Sequence, residues 1–379
     1  MTTDIARGLE GIYVTETKLC RIDGQKGELV YSGYDIYELA EKSNFEEVCF
    51  LLWNGRLPTK GEYGNLIERL RRERALSPLN HTLLREMVGL VRPMRALEIA
   101  VTAVGALDRN SSDLSPDALK EQSTRLTARM ATVIAAYHRL RQGLEPVGPR
   151  EDLNHAANFL WMLHGQEPGE LEAHVFNVAL ILHAEHEMNA STFSAIVTAS
   201  TQSDLYSAIA SAIGTLKGPL HGGANDAVFK TLEAIGSEEN IPSYVDGMLE
   251  RGERLMGIGH RIYKTTDPRA LILERLGHQL AESGATNSEY FYLSLKLRDH
   301  LAEKLAGKPL YPNVDFFSAS VYKMLGIPND LYTPIFAMAR IGGWTAHLME
   351  QYANNRLVRP NALYEGAENR PYEPMEQRA

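Results

Sequence analysis

Cysteine is almost absent: the chain of 379 residues holds two, Cys20 and Cys49. That excludes a disulfide framework and fits a reduced compartment. Cys49 sits in the apolar run Val48-Cys49-Phe50-Leu51-Leu52, where a small buried hydrophobe accounts for it without any nucleophilic role. Long apolar runs are missing too. Stretches such as Val175 to Leu182 fall well short of the ~20 residues that span a bilayer. Basic excess is missing: the formal net charge is −9. Nucleic acids and anionic membranes need a basic face, so neither is an expected partner. A small anionic substrate remains open, because a local arginine cluster can hold carboxylates on an acidic protein. Met1 to Glu10 carries two acids and no apolar core, unlike a signal peptide, so a cytoplasmic location is expected. No fixed-period repeat or low-complexity linker appears.

What is present is an ordinary globular composition, 44% hydrophobic and 23% charged. Single cores stop growing near ~250–300 residues, so two domains are expected. Strand signals are confined to the start. Gly11 to Cys20 alternates with β-branched residues, and Asp23-Gly24 before Glu28 to Tyr31 reads as a small hairpin. Helical periodicity then takes over. Phe45 to Trp53, Ala96 to Leu107, Thr124 to Leu140, Asn154 to Leu163, Leu171 to His183, Ala208 to Leu216, Ala227 to Ile235, Val321 to Leu325 and Ile335 to Tyr352 all carry it. Strand and helix do not alternate, which argues against a parallel α/β sheet. With no linker in view, one domain is expected to be inserted into the other.

Five stretches could carry chemistry. Lys217-Gly218-Pro219-Leu220-His221-Gly222-Gly223-Ala224-Asn225 is a tight interhelical turn. Its His221 lies near a helix N-terminus, which disfavours imidazolium and suits a neutral donor to a carbonyl; a capping or packing role is the alternative. Gly257-Ile258-Gly259-His260-Arg261-Ile262-Tyr263-Lys264 lacks the third glycine and preceding strand of a dinucleotide loop. Its Arg261 and Lys264 could meet phosphates, or could simply face solvent. Asp267-Pro268-Arg269 has the form of a helix start, and Arg269 in a first turn could hold a carboxylate. Tyr311-Pro312-Asn313-Val314-Asp315-Phe316-Phe317 puts Asp315 at the start of an apolar helix. It is either a capping acid or a carboxylate desolvated by aromatic neighbours, with the raised basicity that proton abstraction needs. His183 and His186, three apart in a helical reading, could bind metal, but HExxH is absent and no third ligand is evident. Arg340 interrupts the apolar stretch Ile335-Phe336-Ala337-Met338-Ala339, so its guanidinium needs an anion.

Taken together these segments resemble the citrate synthase family. Leu220-His221-Gly222-Gly223-Ala224-Asn225, Gly259-His260-Arg261-Ile262-Tyr263-Lys264, Asp267-Pro268-Arg269 and Pro312-Asn313-Val314-Asp315-Phe316 occur in the family's order and spacing. His183-Ala184-Glu185-His186 and Gly342-Gly343-Trp344-Thr345-Ala346-His347 do as well. The resemblance runs from about Gly8 to Gly366 and looks like the short bacterial or archaeal form.

The resemblance implies an all-α, two-domain homodimer with a small N-terminal β-hairpin. Residues 1–221 and 327–379 would form the large domain, residues 222–326 the small mobile one, and the active site the cleft between them. It implies condensation of acetyl-CoA with oxaloacetate and water to give citrate and CoA, with no metal or redox cofactor. Asp315 would remove the acyl α-proton, His221 would stabilise the thioester enol, and His260 would assist the oxygen that becomes alkoxide. His186, Arg269 and Arg340 match oxaloacetate-binding positions. Arg359 matches an arginine supplied by the partner subunit, with Arg356 in competition because the connection from Arg340 is one residue shorter. Arg261 and Lys264 fall on the CoA side, Lys264 where some members carry arginine. Alternatives are 2-methylcitrate synthesis from propionyl-CoA by the same residues, a non-catalytic helical binding protein, and a metal-dependent hydrolase using His183 and His186.

Overall fold

The computed structural model describes residues 5–308 and 310–378. The first four residues of the N-terminal stretch and the last of the tail lie outside them. Strand β1 (Cys20–Asp23) pairs antiparallel with β2 (Glu28–Tyr31), and β2 with β3 (Tyr34–Asp35). The hairpin expected at Asp23-Gly24 is therefore present. The alternating stretch from Gly11 forms no strand before Cys20. Its side chains are mostly exposed, and no neighbouring strand takes its backbone groups. Glu350 accepts instead from Thr17 Oγ1 at 2.8 Å and from the Lys18 amide at 3.0 Å.

Sixteen α-helices and four three-residue 3-10 helices make up the rest of the regular structure among the described residues; the α-helices position the site. In order these are α1 (Ile36–Lys42), α2 (Phe45–Asn54), α3 (Lys60–Glu73), α4 (Pro78–Glu86), α5 (Pro93–Ala106), α6 (Pro116–Arg141), α7 (His155–His164) and α8 (Glu170–Ala184). They continue with α9 (Ala190–Ser200), α10 (Leu205–Leu216), α11 (Ala224–Ile235), α12 (Ile241–Glu250), α13 (Pro268–Glu282), α14 (Ser288–Lys304), α15 (Val314–Met324) and α16 (Tyr332–Ala353). Each of the nine periodic segments falls on one of these helices.

Helices α8 and α16 are the centre of the fold. Every side chain from Val175 to Ala184 and from Ala337 to Leu348 is buried. Helix α16 packs against α2, α6, α8, α9 and α10. Helices α11, α13 and α14 instead pack on α15, and this group meets the rest through α13 on α8 and α1, α11 on α16, and α15 on α8. Three helix starts near this seam are capped by a short polar side chain, which takes up N–H groups with no intrahelical partner. Asn189 Oδ1 caps α9, Asp267 Oδ1 caps α13 and Asn313 Oδ1 caps α15. Fixed helix starts give fixed side chains, and Ser191, Arg269 and Asp315 lie at these three starts.

Candidate active site

His221 lies in the turn between α10 and α11, held by hydrogen bonds from its own amide to Gly218 O (3.0 Å) and from Gly222 N to Leu216 O (2.9 Å). Its Nε2 meets the N-terminus of α9. The Ser191 amide, which can only donate, points at Nε2 from 3.3 Å, and Ser191 Oγ lies 2.8 Å away. Nε2 is therefore an acceptor, and the ring carries its proton on Nδ1. The Ser191 hydroxyl is itself held, accepting from Trp344 Nε1 at 3.1 Å and sharing its single proton between His221 Nε2 and Asn189 Oδ1, 2.7 Å away. Burial, and after it the charge of Arg340, pull the His221 pKa down to about 4. Neutrality was expected from a helix dipole; desolvation is the larger cause.

His260 has the opposite arrangement. Its Nδ1 accepts from the amides of Ile262 (3.0 Å) and Tyr263 (3.3 Å), so the proton sits on Nε2. Burial, then Arg269, lowers its pKa to about 4. The loop that shapes these bonds leans on the β1–β2 turn. Lys264 N donates to Gly24 O at 2.8 Å, and a Cβ on Gly24 would stand 2.2 Å from Ile262 O. The loop is also tied to α15, because Asn313 Nδ2 donates to Gly259 O at 2.9 Å.

His186 follows α8 rather than riding on it. The helix ends at Ala184, so the helical spacing that suggested a metal pair with His183 does not hold. His183 Nδ1 donates to Ala179 O at 2.7 Å within its own helix. The His186 ring stands edge-on to His260, centroids 5.2 Å apart, and its buried Nε2 has no partner among the described residues. Burial and the charge of Arg269 hold it neutral, well below the usual histidine range.

Two buried arginines complete the floor. Arg269 is paired with Asp267 through Nη2 at 2.7 Å and Nε at 3.0 Å. Asp267 also accepts from the Val314 amide at 3.2 Å, joining the starts of α13 and α15. Arg340, 1% exposed, gives Nε to His183 O at 2.7 Å and stacks over Phe336. Its two Nη groups have no acceptor among the described residues. A buried guanidinium costs several kcal/mol unless its protons are matched by acceptors, so this one is prepared for an anion.

Asp315 is the second residue of α15. Its amide donates to Asn313 Oδ1, and its carboxylate has no hydrogen bond among the described residues. Burial raises its pKa to about 6, against the lowering effects of Arg269 and Arg340. The helix N-terminus does not overcome this desolvation. The acid is thus a base of useful strength near neutrality; the charge of Arg269 reaches both it and His260, and that of Arg340 both it and His221, two neutral imidazoles with N–H groups to spare.

Four sequence candidates lie at the margin or elsewhere. Arg261 is exposed and pairs with Glu10 at 3.2 Å; Lys264 is exposed and donates to Arg261 O. Arg359 is exposed in the tail and donates to Asn361 Oδ1, and Arg356 is likewise exposed, so neither joins the site of its own chain. Asp267 was visible only as a cap, and Ser191 and Asn189 not at all. An [Asn]-x-[Ser] pair just after the His186 segment was the signal that could have found them.

A desolvated carboxylate, two neutral ring donors of opposite tautomer and a free buried guanidinium define a helical enzyme suited to carbon-acid chemistry on an anionic substrate. The chain belongs to the citrate synthase family, acyltransferases whose model, described as "Citrate synthase, C-terminal domain", matches residues 8–361. It is 47% identical to the citrate synthase of Haloferax volcanii, with 100% of each chain covered. To that of Deinococcus radiodurans it is 45% identical over 99% of this chain and 100% of the other. A Bacillus subtilis relative named citrate/2-methylcitrate synthase is 41% identical over 95% and 96%. Among solved structures, citrate synthase from Pyrobaculum aerophilum superposes with TM-score 0.93 at 41% identity, covering 99% and 95%. The Thermoplasma acidophilum enzyme, in ternary complex with carboxymethyl coenzyme A and oxaloacetate, gives 0.94 at 32% identity, covering both chains fully.

Proposed function

We propose that this chain condenses acetyl-CoA with oxaloacetate and water to give citrate and CoA, with Asp315, His221 and His260 as the catalytic residues. The observation that carries the reading is the Asp315 carboxylate, raised to about 6 and free of hydrogen bonds, set with two neutral histidines. A thioester α-proton is too weakly acidic for a carboxylate alone. Asp315 takes that proton while His221 Nδ1–H donates to the thioester oxygen, so that negative charge never develops unshielded. The enol carbon attacks the ketone carbon of oxaloacetate as His260 Nε2–H donates to the oxygen becoming alkoxide. Water then cleaves the thioester and releases CoA.

Arg340, Arg269 and His186 hold oxaloacetate, in line with the unpaired Nη groups of Arg340 and the partnerless Nε2 of His186. A C–H and a C–S bond break as a C–C and a C–O bond form, the sulfur leaving with its electron pair and taking up a proton; no electron is gained or lost overall, so the chemistry asks for no metal or redox cofactor. Residues 222–326 form the small domain, which closes over the substrates and excludes water. Arg261 and Lys264, exposed on its rim, meet CoA phosphates. The protein works as a cytoplasmic homodimer. Arg359 of the partner subunit, or Arg356 of the partner subunit in its place, supplies the second oxaloacetate clamp. The exposed Tyr13, Leu363, Tyr364 and Tyr372 support arms that pack on a partner. Two free cysteines fit a reducing compartment, and no helix among the described residues is long and apolar enough to cross a membrane.

The test is thiol release by purified protein given oxaloacetate with acetyl-CoA. No release would overturn the reading. Propionyl-CoA in the same assay addresses 2-methylcitrate formation, which the Bacillus subtilis relative keeps in view. One methylene discriminates by only ~10–200-fold in an apolar pocket, and a kcat/KM favouring propionyl-CoA would reassign the acyl substrate.

A further inference from the structure

A buried ionisable pair lies beside the oxaloacetate pocket and takes no part in the reaction steps. Arg340, Gly343 and His347 are spaced i, i+3 and i+7 on α16 and share one of its faces. The Glu185 carboxylate rests on that face. A Cβ at Gly343 would stand 2.1 Å from Glu185 Oε2, so glycine is what admits the carboxylate there. Glu185 Oε1 is 2.8 Å from His347 Nε2, and both side chains are essentially inaccessible, at 0% and 1%. Its other oxygen, Oε2, is buried with no partner among the described residues. The second ring nitrogen of His347, Nδ1, faces Glu350 Oε2 at 3.9 Å. Glu350 is anchored in turn by Thr17 and Lys18.

A ring with a carboxylate at each nitrogen holds both protons. Burial opposes the second proton; Glu185, and after it Glu350, outweigh burial and leave the His347 pKa raised. On the other side of Gly343 stands Arg340, whose Nη groups are unpaired and whose charge Glu185 favours. Glu185 thus sits between two cations on one helix face and is bonded to only one of them.

We propose that His347 is a positioning residue: by engaging Glu185 as an imidazolium–carboxylate pair, it keeps the Arg340 guanidinium free for a carboxylate of oxaloacetate. This rests on the reading that Arg340 binds that carboxylate. Without the imidazolium, the cation left to the buried Glu185 carboxylate on that helix face is Arg340, a guanidinium with protons to give. Its unpaired Oε2 then turns to Arg340 and competes with substrate from inside the protein. A neutral group at 185 removes the competitor and makes His347 dispensable. A pair that merely filled space would show no such dependence on charge.

The experiment is steady-state kinetics on purified full-length His347→Gln, Glu185→Gln, the double variant and Arg340→Gln, varying oxaloacetate at saturating acetyl-CoA. His347→Gln is expected to raise KM for oxaloacetate about tenfold while kcat falls less than about twofold. Glu185→Gln should leave that KM within about twofold of the parent, and the double variant should return to the same range. An unchanged KM in His347→Gln, or a double variant no better than His347→Gln, overturns the proposal. Should His347→Gln not fold, Glu185→Gln decides, since a rise of about tenfold there also overturns it. Arg340→Gln separates the two levels. If its KM for oxaloacetate is unchanged, the carboxylate reading of Arg340 falls. If that KM rises while His347→Gln is silent, only the role of His347 falls.

Discussion

The turn that carries His221 and the loop that carries His260 solve one problem in opposite ways. Each must present a neutral imidazole with one free N–H, and each does so by burial, which brings both rings to a pKa of about 4. The difference lies in which nitrogen the backbone claims. At His221 the N-terminus of α9 claims Nε2 through the Ser191 amide and leaves Nδ1–H. At His260 the loop's own amides, from Ile262 and Tyr263, claim Nδ1 and leave Nε2–H. A backbone N–H cannot accept, so it dictates the tautomer more firmly than a hydroxyl could. One ring is oriented by a distant helix and the other by the two residues that follow it, which makes the first sensitive to packing and the second to loop shape.

The largest break comes from removing the base that serves both rings. Asp315→Asn should lower kcat by about 10³-fold or more while leaving oxaloacetate binding, measured by calorimetry, in place. Retained turnover would leave the two donors without a base to assist. The carboxylate must be ionised to act, so kcat/KM in the parent should rise through about pH 6 and then level, whereas an ordinary aspartate would place that limb near 3.8. The histidines, at about 4, lie below that limb and do not set it. Stability moves the other way. The folded pKa of Asp315 lies above its unfolded value, so its cost grows as pH rises through about 6 and is fully present at neutrality. The Asn variant should therefore melt a few degrees higher at pH 7.

The tautomers themselves can be separated by amide replacements. An Asn side chain places its N–H₂ near the Nδ1 position of histidine, and Gln places it near Nε2. His221→Asn should keep more activity than His221→Gln, and His260→Gln more than His260→Asn. The poorer replacement in each pair should lose about 10²-fold in kcat. The same order at both sites would contradict the opposite-tautomer arrangement.

How much of this could be read from the residues depends on how local each cause is. Phe316 and Phe317 beside Asp315 announced a desolvated acid, and both are buried. Asp267-Pro268 announced the start of α13, and Arg340 inside an apolar stretch announced a guanidinium lacking a counter-ion. The tautomers were hidden, because Ser191 lies thirty positions from His221 in sequence. The helical spacing read for His183 and His186 did not hold, because it was extended past the true helix end at Ala184. Helices α1, α3, α4, α9, α12 and α14 were missed, and for α3 and α12 the reason is physical. These two bury only Leu66 and Leu70, and Ile241, Val245 and Met248, so their apolar stripes are thin.

Ser191→Ala tests the first region alone. The hydroxyl is removed, but the Ser191 amide still faces Nε2, so the tautomer survives and only the ring's anchorage weakens. A roughly tenfold fall in kcat is expected, with KM for oxaloacetate little changed. A loss as large as that of His221→Gln would mean that the hydroxyl, not the amide, sets the tautomer.

Gly24→Ala tests the second region, and its effect should be the smallest. The added Cβ would lie 2.2 Å from Ile262 O, so the turn or the loop must yield. If the loop yields, the Ile262 and Tyr263 amides shift relative to His260 Nδ1, because both belong to the same few residues. The ring's tautomer persists, since one amide suffices to keep Nδ1 an acceptor, but the aim of Nε2–H drifts. A roughly threefold loss in kcat is expected. The Ser191→Ala and Gly24→Ala losses should multiply in the double variant, because their effects reach separate histidines through separate contacts. Losses that fail to multiply would mean that the two rings are coupled, most directly through His186, whose ring stands edge-on to His260.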